Sequence, residues 1–460
     1  MNNYVCTPVD KAANNIAFIC PKFYLENICR EIGFEKKQFN NQSGFYVPCT
    51  TSIDDLVKQH IQMSKVYKLD VEQTDCNVPQ LYGIPKFHKT PLKFRFIAGA
   101  ANSSTKPISV LLLNVLTLFK THFTGYCGKI ERVTGHKRYI SVDSSWNVIQ
   151  KLNKNESNFD TAHTYDFSTL YTRLSHDSVI HELHWLTDLL FDNVSKKGCK
   201  YVNCLKNKSK YATVAFYDKE DTTDARRVCL DRFMVKNLIL DVITNSYITF
   251  SGQLMRQRSG IPMGGNASPL VADLVLSAYE YKYLCQKSVK WSSSTSIFRY
   301  IDDILAVNKN ITTMIDNAYP NELGITSASG NNGKLDYLDF TIQIGSKNLN
   351  LYNKTDVFNF DVIRSYHASS CVRKSMITGV IIGNLVRYVR IITQLPELIK
   401  NVIQYFTTLI KSGHDDDRIA HALAKFCASY DIYLWKYGIF TRKECLKKLI
   451  HPILKFHTIH

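Results

Sequence analysis

The sequence predicts an α+β fold with a β-hairpin, further strands and a helical C-terminal part. Phe298 to Val307, FRYIDDILAV, has strand-forming residues on both sides of two adjacent acids, which is typical of a tight β-hairpin with the acids at its tip. KLDYLDFTI from Lys334, and the stretch from Leu349 to Tyr352, predict further strands. From Val372 onward, apolar residues recur at helical spacing, which predicts packed helices.

Length and charge bound the class of protein. The 460 residues are enough for several domains or one large enzyme with lobes. A hydrophobic content of 45% with 21% charged residues is typical of a globular chain. The 57 Lys and Arg residues exceed the 40 Asp and Glu residues and give a net charge of +17. This surplus indicates a polyanion such as nucleic acid as partner, with plain surface solubility as the alternative.

Cysteine usage and hydropathy indicate the compartment. Thirteen cysteines are irregularly spaced, and Met1 to Lys11 is polar, so we expect reduced thiols in an intracellular protein. No second Cys or His pair at zinc spacing follows Cys199 and Cys204, so zinc is not expected there. The longest apolar run, Ile108 to Phe119, is too short to span a bilayer, which predicts a soluble protein without membrane contact.

Three acidic residues suggest a metal site. Asp302 and Asp303 are adjacent, and like charges placed side by side repel, so a fold that presents them together usually binds a cation. Carboxylate oxygens suit Mg²⁺, which suggests phosphoryl transfer; an ordinary solvated turn is the alternative. Asp166 closes the strand-like part of TAHTYDFSTLYT and would supply a third carboxylate, or else cap a turn.

Two further stretches have compositions suited to phosphates. PQLYGIPKFHKTPLKFRFIAG predicts a basic hairpin that grips a triphosphate or a phosphate backbone, with a solvated basic loop as the alternative. GIPMGGNASP predicts a glycine loop where backbone approaches another group closely, followed by an apolar helix from Leu270 to Tyr279. Between these stretches, residues 196–210 and 218–227 are interpreted as surface insertions.

In this order, the basic hairpin, the aspartate strand, the glycine loop and the Tyr-x-Asp-Asp hairpin resemble the motifs of reverse transcriptases. LYGIPKFHK, DFSTLYT, GIPMGGNASP and FRYIDD are similar to the Penelope-like group of retroelement enzymes. PVDKAANNIAFICPKFY, YPNEL, DYLDF and YNKTDVFNF also look like that group, so the resemblance covers nearly the whole chain. Nothing after the helical region resembles the GIY-YIG nuclease that many of the group carry, and no RNase H domain is expected.

The resemblance implies an RNA-directed DNA polymerase with a right-hand polymerase fold. An N-terminal extension would span 1–75, the fingers and a palm with an antiparallel sheet 76–345, and an α-helical thumb 346–460. The implied partners are an RNA template, a DNA primer and dNTPs, with any nuclease supplied separately; oligomeric state is open. The nucleus is the expected location for a retroelement enzyme, although no nuclear signal is evident.

The resemblance also implies residue roles. Asp166, Asp302 and Asp303 would hold two Mg²⁺ ions, for which Mn²⁺ can substitute: one ion lowers the pKa of the primer 3′-hydroxyl and the other neutralises the leaving pyrophosphate. Tyr171 would lie under the sugar and exclude a 2′-hydroxyl. The implied dNTP-binding residues are Lys86, Arg95, Phe167, Tyr171, Met263 and Gly264. The implied template and primer contacts are Gln257, Gly265 and Tyr300, and Lys334 would assist pyrophosphate departure.

Met263 departs from the pattern, because many reverse transcriptases have glutamine there. Arg173-Leu174-Ser175 also replaces a more usual small-residue turn, and we expect both changes to tune activity rather than abolish it. Two other functions remain open, a non-catalytic nucleic-acid-binding protein and an RNA-dependent RNA polymerase. Tyr171 argues against the latter, since a ribonucleotide needs space at that position.

Overall fold

A computed structural model describes residues 3–33, 45–69, 71, 76–154, 157–168, 170–207, 210–220, 224–330, 333–373 and 375–451. The strands are β1 (Val5–Val9), β2 (Ala12–Ile19), β3 (Tyr46–Pro48), β4 (Gln80–Lys86), β5 (Lys93–Gly99), β6 (Ala162–Phe167), β7 (Tyr201–Asn207), β8 (Lys210–Tyr217), β9 (Arg227–Asp231), β10 (Tyr247–Phe250), β11 (Gln253–Gln257), β12 (Ile297–Tyr300), β13 (Asp303–Val307), β14 (Ile325–Ser329), β15 (Lys334–Tyr337), β16 (Phe340–Gln343) and β17 (Leu349–Leu351). The α-helices are α1 (Pro21–Glu31), α2 (Ile53–Val66), α3 (Lys106–Thr134), α4 (Ser145–Lys154), α5 (Leu170–Arg173), α6 (His176–Ser195), α7 (Arg232–Thr244), α8 (Ser268–Leu284), α9 (Thr312–Ala318), α10 (Ser375–Ile391), α11 (Leu395–Lys411), α12 (Asp416–Ser429) and α13 (Arg442–Cys445).

The central sheet has four antiparallel strands in the order β12-β13-β6-β14. Successive residues of a strand point to opposite faces of the sheet, so the uninterrupted apolar run of β13 places apolar side chains on both faces. Ile304 and Ala306 belong to the main core with α3, α6 and α8. Leu305 and Val307 pack in a second core with α4 and β15 to β17. The predicted acid-bearing hairpin is confirmed as β12 and β13. Burial of β13 side chains on both faces of the sheet fixes the position of this hairpin.

A second sheet joins five strands in the order β3-β11-β10-β4-β5. The antiparallel pair β4–β5 runs from Gln80 opposite Gly99 to Lys86 opposite Lys93, which confirms the predicted basic hairpin. β3 pairs with β11, and the Asp10 amide of the β1–β2 hairpin donates to the Pro85 carbonyl at 3.0 Å. The N-terminal segment is therefore hydrogen-bonded into this part of the fold.

The interpretation of residues 196–210 as a surface insertion was wrong for β7. The described residues 218–220 and 224–226 lie outside the strands and are mostly exposed, in agreement with the same interpretation of 218–227. β7, β8 and β9 form a three-stranded antiparallel sheet. Val202 and Cys204 of β7 and Leu230 of β9 are fully buried in the main core. The lysines nearby suggested a solvated loop, but alternate apolar residues between polar ones suffice to bury one face of a strand.

Helix α3 contains the apolar run Ile108 to Phe119 and extends beyond it to Thr134. It is the one helix in the described ranges that is long and apolar enough, by length and composition, to cross a membrane. Its Leu111, Phe119 and Phe123 side chains are fully buried in the main core. Helix α8 likewise extends beyond its predicted range and is buried along most of its length.

The predicted C-terminal helices are present. Their apolar stripes form a core of their own, with Ile381 and Leu385 of α10 against Phe406 of α11 and Phe426 of α12. Gly413, with a φ of 79°, follows the last turn of α11, as expected for a helix stop. The helices begin at Ser375, and residues 352–373 connect them to the small sheet of β15, β16 and β17.

Candidate active site

The central sheet brings the three predicted aspartates to one end of two neighbouring strands. Asp303 on β13 lies directly opposite Asp166 on β6. Asp302 precedes Asp303 in the turn of the hairpin, and the Phe167 amide donates to the Asp302 carbonyl at 3.3 Å. Residues directly opposite on antiparallel strands have Cα atoms about 4.5 to 5.5 Å apart, so the pairing alone places these carboxylates side by side.

We call residues Tyr300–Asp303 the aspartate turn. Tyr300 pairs with Asp303, which leaves Ile301 and Asp302 as its two central residues. Ile301 has a φ of 52°, a left-handed conformation that is unfavourable for a β-branched residue. Such strain persists only where surrounding contacts hold it, and in this protein it occurs next to the acidic residues.

Burial and mutual repulsion disfavour the ionised forms of the acids in the turn. Burial, followed by the charges of Asp302 and Asp166, raises the pKa of Asp303 to about 6. Burial and then Asp166 raise the pKa of Asp302, against the opposing charges of Lys354 and Arg95. Clustered carboxylates with raised pKa values in a cleft are typical of a functional site, because a bound cation would relieve the repulsion.

The donor set fits a hard divalent cation, since all three residues offer carboxylate oxygens. Within the described ranges, however, no group of three or more His, Cys, Asp or Glu side chains is arranged as ligands of a metal ion. The fit therefore rests on the backbone pairing of Asp166 with Asp303 and on the chemistry of the donors.

A buried charge cluster lies beneath the aspartate turn. Arg299, with no exposed surface, is ion-paired with Glu280 and, at 2.7 Å, with Asp273, both on α8. Its guanidinium also donates to the Ile301 carbonyl at 3.0 Å, which ties the cluster to the turn. Tyr319 donates to Glu280 at 2.8 Å, and Lys120 pairs with Asp273 at 2.7 Å.

The pKa directions within this cluster follow from burial and pairing. Burial alone would raise the pKa of Asp273, but the charges of Arg299 and Lys120 more than offset it, and the pKa is lowered. For Glu280 the burial effect exceeds that of Arg299, so its pKa is raised. Arg299 is held in its charged form, because the two carboxylates raise its pKa despite burial.

The glycine loop approaches two other elements as closely as backbone can. A Cβ on Gly264 would lie 2.3 Å from the Ala98 carbonyl oxygen of β5, and one on Gly260 would lie 2.5 Å from the carbonyl oxygen of Tyr171. The Ala98 amide donates to the Met263 carbonyl at 2.8 Å. The predicted close approach is confirmed, and it joins the loop to both the basic hairpin and Tyr171.

Tyr171 is half-buried on α5 and electrostatically coupled to the aspartate turn. Burial and then Asp302 raise the pKa of its hydroxyl to about 12, so the hydroxyl is neutral at pH 7. The Ile261 amide of the glycine loop donates to the Tyr171 carbonyl at 2.7 Å. The backbone of Tyr171 is therefore joined to the glycine loop and its hydroxyl is influenced by the charge of Asp302, while its contact with a nucleotide sugar stays a prediction.

The predicted phosphate-binding residues of the basic hairpin face the same region. A guanidinium nitrogen of Arg95 lies 3.3 Å from a carboxylate oxygen of Asp10 in the N-terminal hairpin. The charge of Arg95 also acts to lower the pKa values of Asp302 and Tyr171. Lys86 is half-buried, and burial, followed by the charge of Arg95, lowers its pKa. The two cations are thus close to each other, as one polyphosphate would require.

Three predicted residues occupy other environments. Phe167 is 3% exposed and packs edge-on against Tyr319 with ring centres 4.9 Å apart, so its side chain lies in the core. Gln257 is 4% exposed and donates to the Ser259 carbonyl at 3.0 Å, which braces the glycine loop. Lys334 is exposed at the start of β15, opposite Gln343.

The other two predicted template and primer contacts are Tyr300, in the aspartate turn, and Gly265, in the glycine loop. Tyr300 is half-buried and lines a cavity of about 680 Å³ beside the aspartate turn. The Gly265 amide donates to the Pro262 carbonyl at 3.2 Å within the glycine loop. A Cβ at Gly265 would come 2.5 Å from the Ser268 hydroxyl, which explains a glycine there.

Sequence reasoning missed the lysines nearest the acids. Lys354 Nζ lies 4.0 Å from an Asp303 carboxylate oxygen, and the charges of Lys354 and Lys11 both lower the pKa of Asp303. Both residues occur in stretches quoted above for their resemblance, PVDKAANNIAF and YNKTDVFNF, which was the available signal. Arg299 was also missed, although an arginine inside an apolar strand signals a buried partner.

An antiparallel sheet with paired aspartates, a glycine loop packed on a basic hairpin and a helical C-terminal core together define a reverse-transcriptase-like fold. Solved structures of telomerases have this fold. The telomerase of Candida albicans, in complex with the TWJ fragment of telomeric RNA, aligns with a TM-score of 0.51 and 13% identity over 94% of this chain and 73% of that chain. Apo telomerase from Candida tropicalis aligns with a TM-score of 0.50 and 12% identity over 98% and 75%.

At this identity the likeness concerns the fold alone. No protein-family model and no curated protein sequence matches the chain. The activity therefore has to be argued from the site.

Proposed function

We propose that this chain is an RNA-directed DNA polymerase, a reverse transcriptase that transfers nucleotides from dNTPs to a primer 3′-hydroxyl on an RNA template. One observation carries the proposal: Asp303 pairs with Asp166 across neighbouring strands, with Asp302 beside them in the turn. In-line nucleotidyl transfer needs carboxylates that hold divalent ions at the reacting phosphate, and this pairing supports the proposal because it brings carboxylate-bearing residues together.

Asp166, Asp302 and Asp303 would hold two Mg²⁺ ions, or Mn²⁺ in their place. Bound there, the ions would activate the primer hydroxyl and neutralise the charge of the departing pyrophosphate. The protein's own contribution is to keep the three carboxylates together against their repulsion, through β13–β6 pairing and through the Arg299 contact that fixes the aspartate turn.

Residues around the aspartates would orient the nucleotide. Lys86 and Arg95 would pair with triphosphate oxygens, because charge-assisted bonds to phosphate are strong and directional. Tyr171, held by the glycine loop, would face the sugar and select a deoxynucleotide. Met263, Gly264 and Gly265 would lie near the nascent base pair.

The proposed mobile-element origin rests on the order of the sequence motifs and on their residues. LYGIPKFHK, DFSTLYT, GIPMGGNASP and FRYIDD, together with the flanking stretches, support placement with Penelope-like retroelement enzymes. We propose nuclear DNA as the target of such an enzyme, with a separate nuclease as a partner in target cutting.

Primer extension tests the activity. The wild-type protein is incubated with a DNA primer on RNA or DNA template, with dNTPs or NTPs, and with Mg²⁺ or Mn²⁺. The test variant is the double substitution Asp302→Asn with Asp303→Asn. The matched control is Asp54→Asn with Asp55→Asn, an adjacent exposed pair at the start of α2.

We expect extension on RNA with dNTPs that the test variant loses and the control retains. Retained extension in the test variant would refute the carboxylate mechanism. Salt-sensitive RNA binding without incorporation would indicate a binding protein, and preference for NTPs an RNA polymerase.

A further inference from the structure

Two segments outside the central motifs meet beside the aspartate turn. One is the N-terminal hairpin, residues 5–19, and the other is residues 352–364, which we call the connector because they lead from the small sheet toward the C-terminal helices. Asn15 Nδ2 donates to the Asp361 carbonyl at 2.9 Å, and Asn15 Oδ1 accepts from the Ile363 amide at 3.0 Å. These paired bonds fasten the connector to the hairpin.

The connector also packs on the tip of the basic hairpin. Phe360 meets Phe87 edge-on with ring centres 6.2 Å apart, and Phe358 meets His88 in the same way at 5.9 Å. Phe358 and Phe360 further pack on a small core formed by the N-terminal hairpin and Phe94. The three segments therefore form one continuous wall next to the acids.

Two lysines of this wall lie by the acids. Lys354 Nζ is 4.0 Å from an Asp303 carboxylate oxygen. Lys11 lies at the turn of the N-terminal hairpin, and together with Lys354 and Tyr300 it lines the 680 Å³ cavity. The neighbouring Asp10 pairs with Arg95 at 3.3 Å, and no ion pair is formed by Lys11 among the described residues.

The conformation of Lys11 points to a function. Its φ of 64° is left-handed, which costs an L-residue with a side chain roughly 1 kcal/mol or more. Glycine or asparagine would take this turn position more easily. Burial and then Lys354 lower the pKa of Lys11, so the two like charges are near each other. A strained turn that holds a second cation by the acids gains stability once an anion lies between the cations.

We propose that Lys11 and Lys354 together bind one phosphate group of the substrates beside Asp303, so that the N-terminal hairpin is part of the active site. This rests on the proposed polymerase function. The phosphate belongs either to the 3′-terminal nucleotide of the primer or to the incoming triphosphate, both of which carry the oxygens that two ammonium groups recognise.

The test uses Lys11→Met, Lys354→Met and the double variant, with Lys22→Met as matched control. Lys22 is exposed on α1, in the same N-terminal segment but away from the cavity. A primer ending in a dideoxynucleotide prevents bond formation, so both affinities can be measured without turnover. Fluorescence anisotropy gives the Kd of primer–template, and titration calorimetry with the matching dNTP gives the Kd of the nucleotide.

We expect each single variant to raise the Kd of one of these ligands by about tenfold. The double variant should raise that Kd by less than the product of the two single effects, because both lysines contact one phosphate. Weaker dNTP binding assigns the phosphate to the nucleotide, and weaker primer binding assigns it to the primer. Lys354→Arg keeps the charge and should retain most of the affinity.

Affinities of both variants equal to those of Lys22→Met overturn the proposal. The wild-type extension assay separates this outcome from failure of the proposed function, since a polymerase that extends normally with unchanged affinities refutes only the role of the lysines. Thermal melts of every variant verify folding, and exposure of both lysines to the cavity predicts unchanged melting temperatures.

Discussion

Replacing Arg299 with methionine tests the buried charge cluster beneath the aspartate turn. Methionine keeps an unbranched side chain in the same space but removes the guanidinium, so Glu280 and Asp273 lose their shared partner. Glu280 is 1% exposed and Asp273 3% exposed, so water cannot replace the lost contacts. Asp273 retains Lys120, whereas Glu280 retains only neutral partners such as the Tyr319 hydroxyl among the described residues.

The expected loss follows from that geometry. Removing one partner of a buried ion pair typically costs about 3–5 kcal/mol, because an uncompensated charge remains in a low-dielectric interior. Adding Glu280→Gln to Arg299→Met removes that charge while keeping an acceptor for Tyr319, and should recover at least about 1 kcal/mol. Arg226→Met is the matched control, since its arginine is a solvent-exposed partner of Asp224 and should leave stability unchanged within error.

Urea denaturation followed by circular dichroism measures the free energies of unfolding, and primer extension reports the effect on the site. Because Arg299 also holds the Ile301 carbonyl, the residual folded variant should extend more slowly than its folded fraction predicts. Stability of Arg299→Met equal to wild type would refute the reasoning. So would a double variant less stable than the single one.

Three further predictions concern single residues. Gly264→Ala forces a Cβ against the Ala98 carbonyl and should lower both the melting temperature and the rate of primer extension. The control Gly125→Ala has open space around it in α3 and should lower neither. Equal melting temperatures of the two variants would contradict the close packing at Gly264. Tyr171→Ala should raise NTP use relative to dNTP use by about tenfold, measured by competition, and an unchanged ratio would remove the tyrosine from sugar selection. His60 is 3% exposed, and burial lowers its pKa to about 4, below the value of about 6.5 in the unfolded chain. The folded state therefore resists protonation, so the stability present above about pH 6.5 should fall by about 3 kcal/mol as the pH is lowered toward 4. Denaturation measured at a series of pH values should show a weaker pH dependence for His60→Phe.

The local elements of the site follow from the sequence alone. The aspartate hairpin was predictable because its turn and both strands lie within the eleven residues from Ile297 to Val307, and strand patterning is a local property. The glycine loop was predictable because Gly264 and its neighbours allow an approach that any side chain would block. The C-terminal helices were predictable from apolar spacing alone.

Which of these elements come into contact depends on tertiary packing. The register that sets Asp166 opposite Asp303 depends on packing of both sheet faces, and no local pattern specifies it. Gln257 and Phe167 matched motif positions, yet the core enclosed their side chains. Lys11 and Lys354 are far apart in the chain and come together through the Asn15 bonds to the connector. Such contacts depend on chain-wide burial and hydrogen bonding, whereas residue type and spacing report only what neighbours along the chain can do.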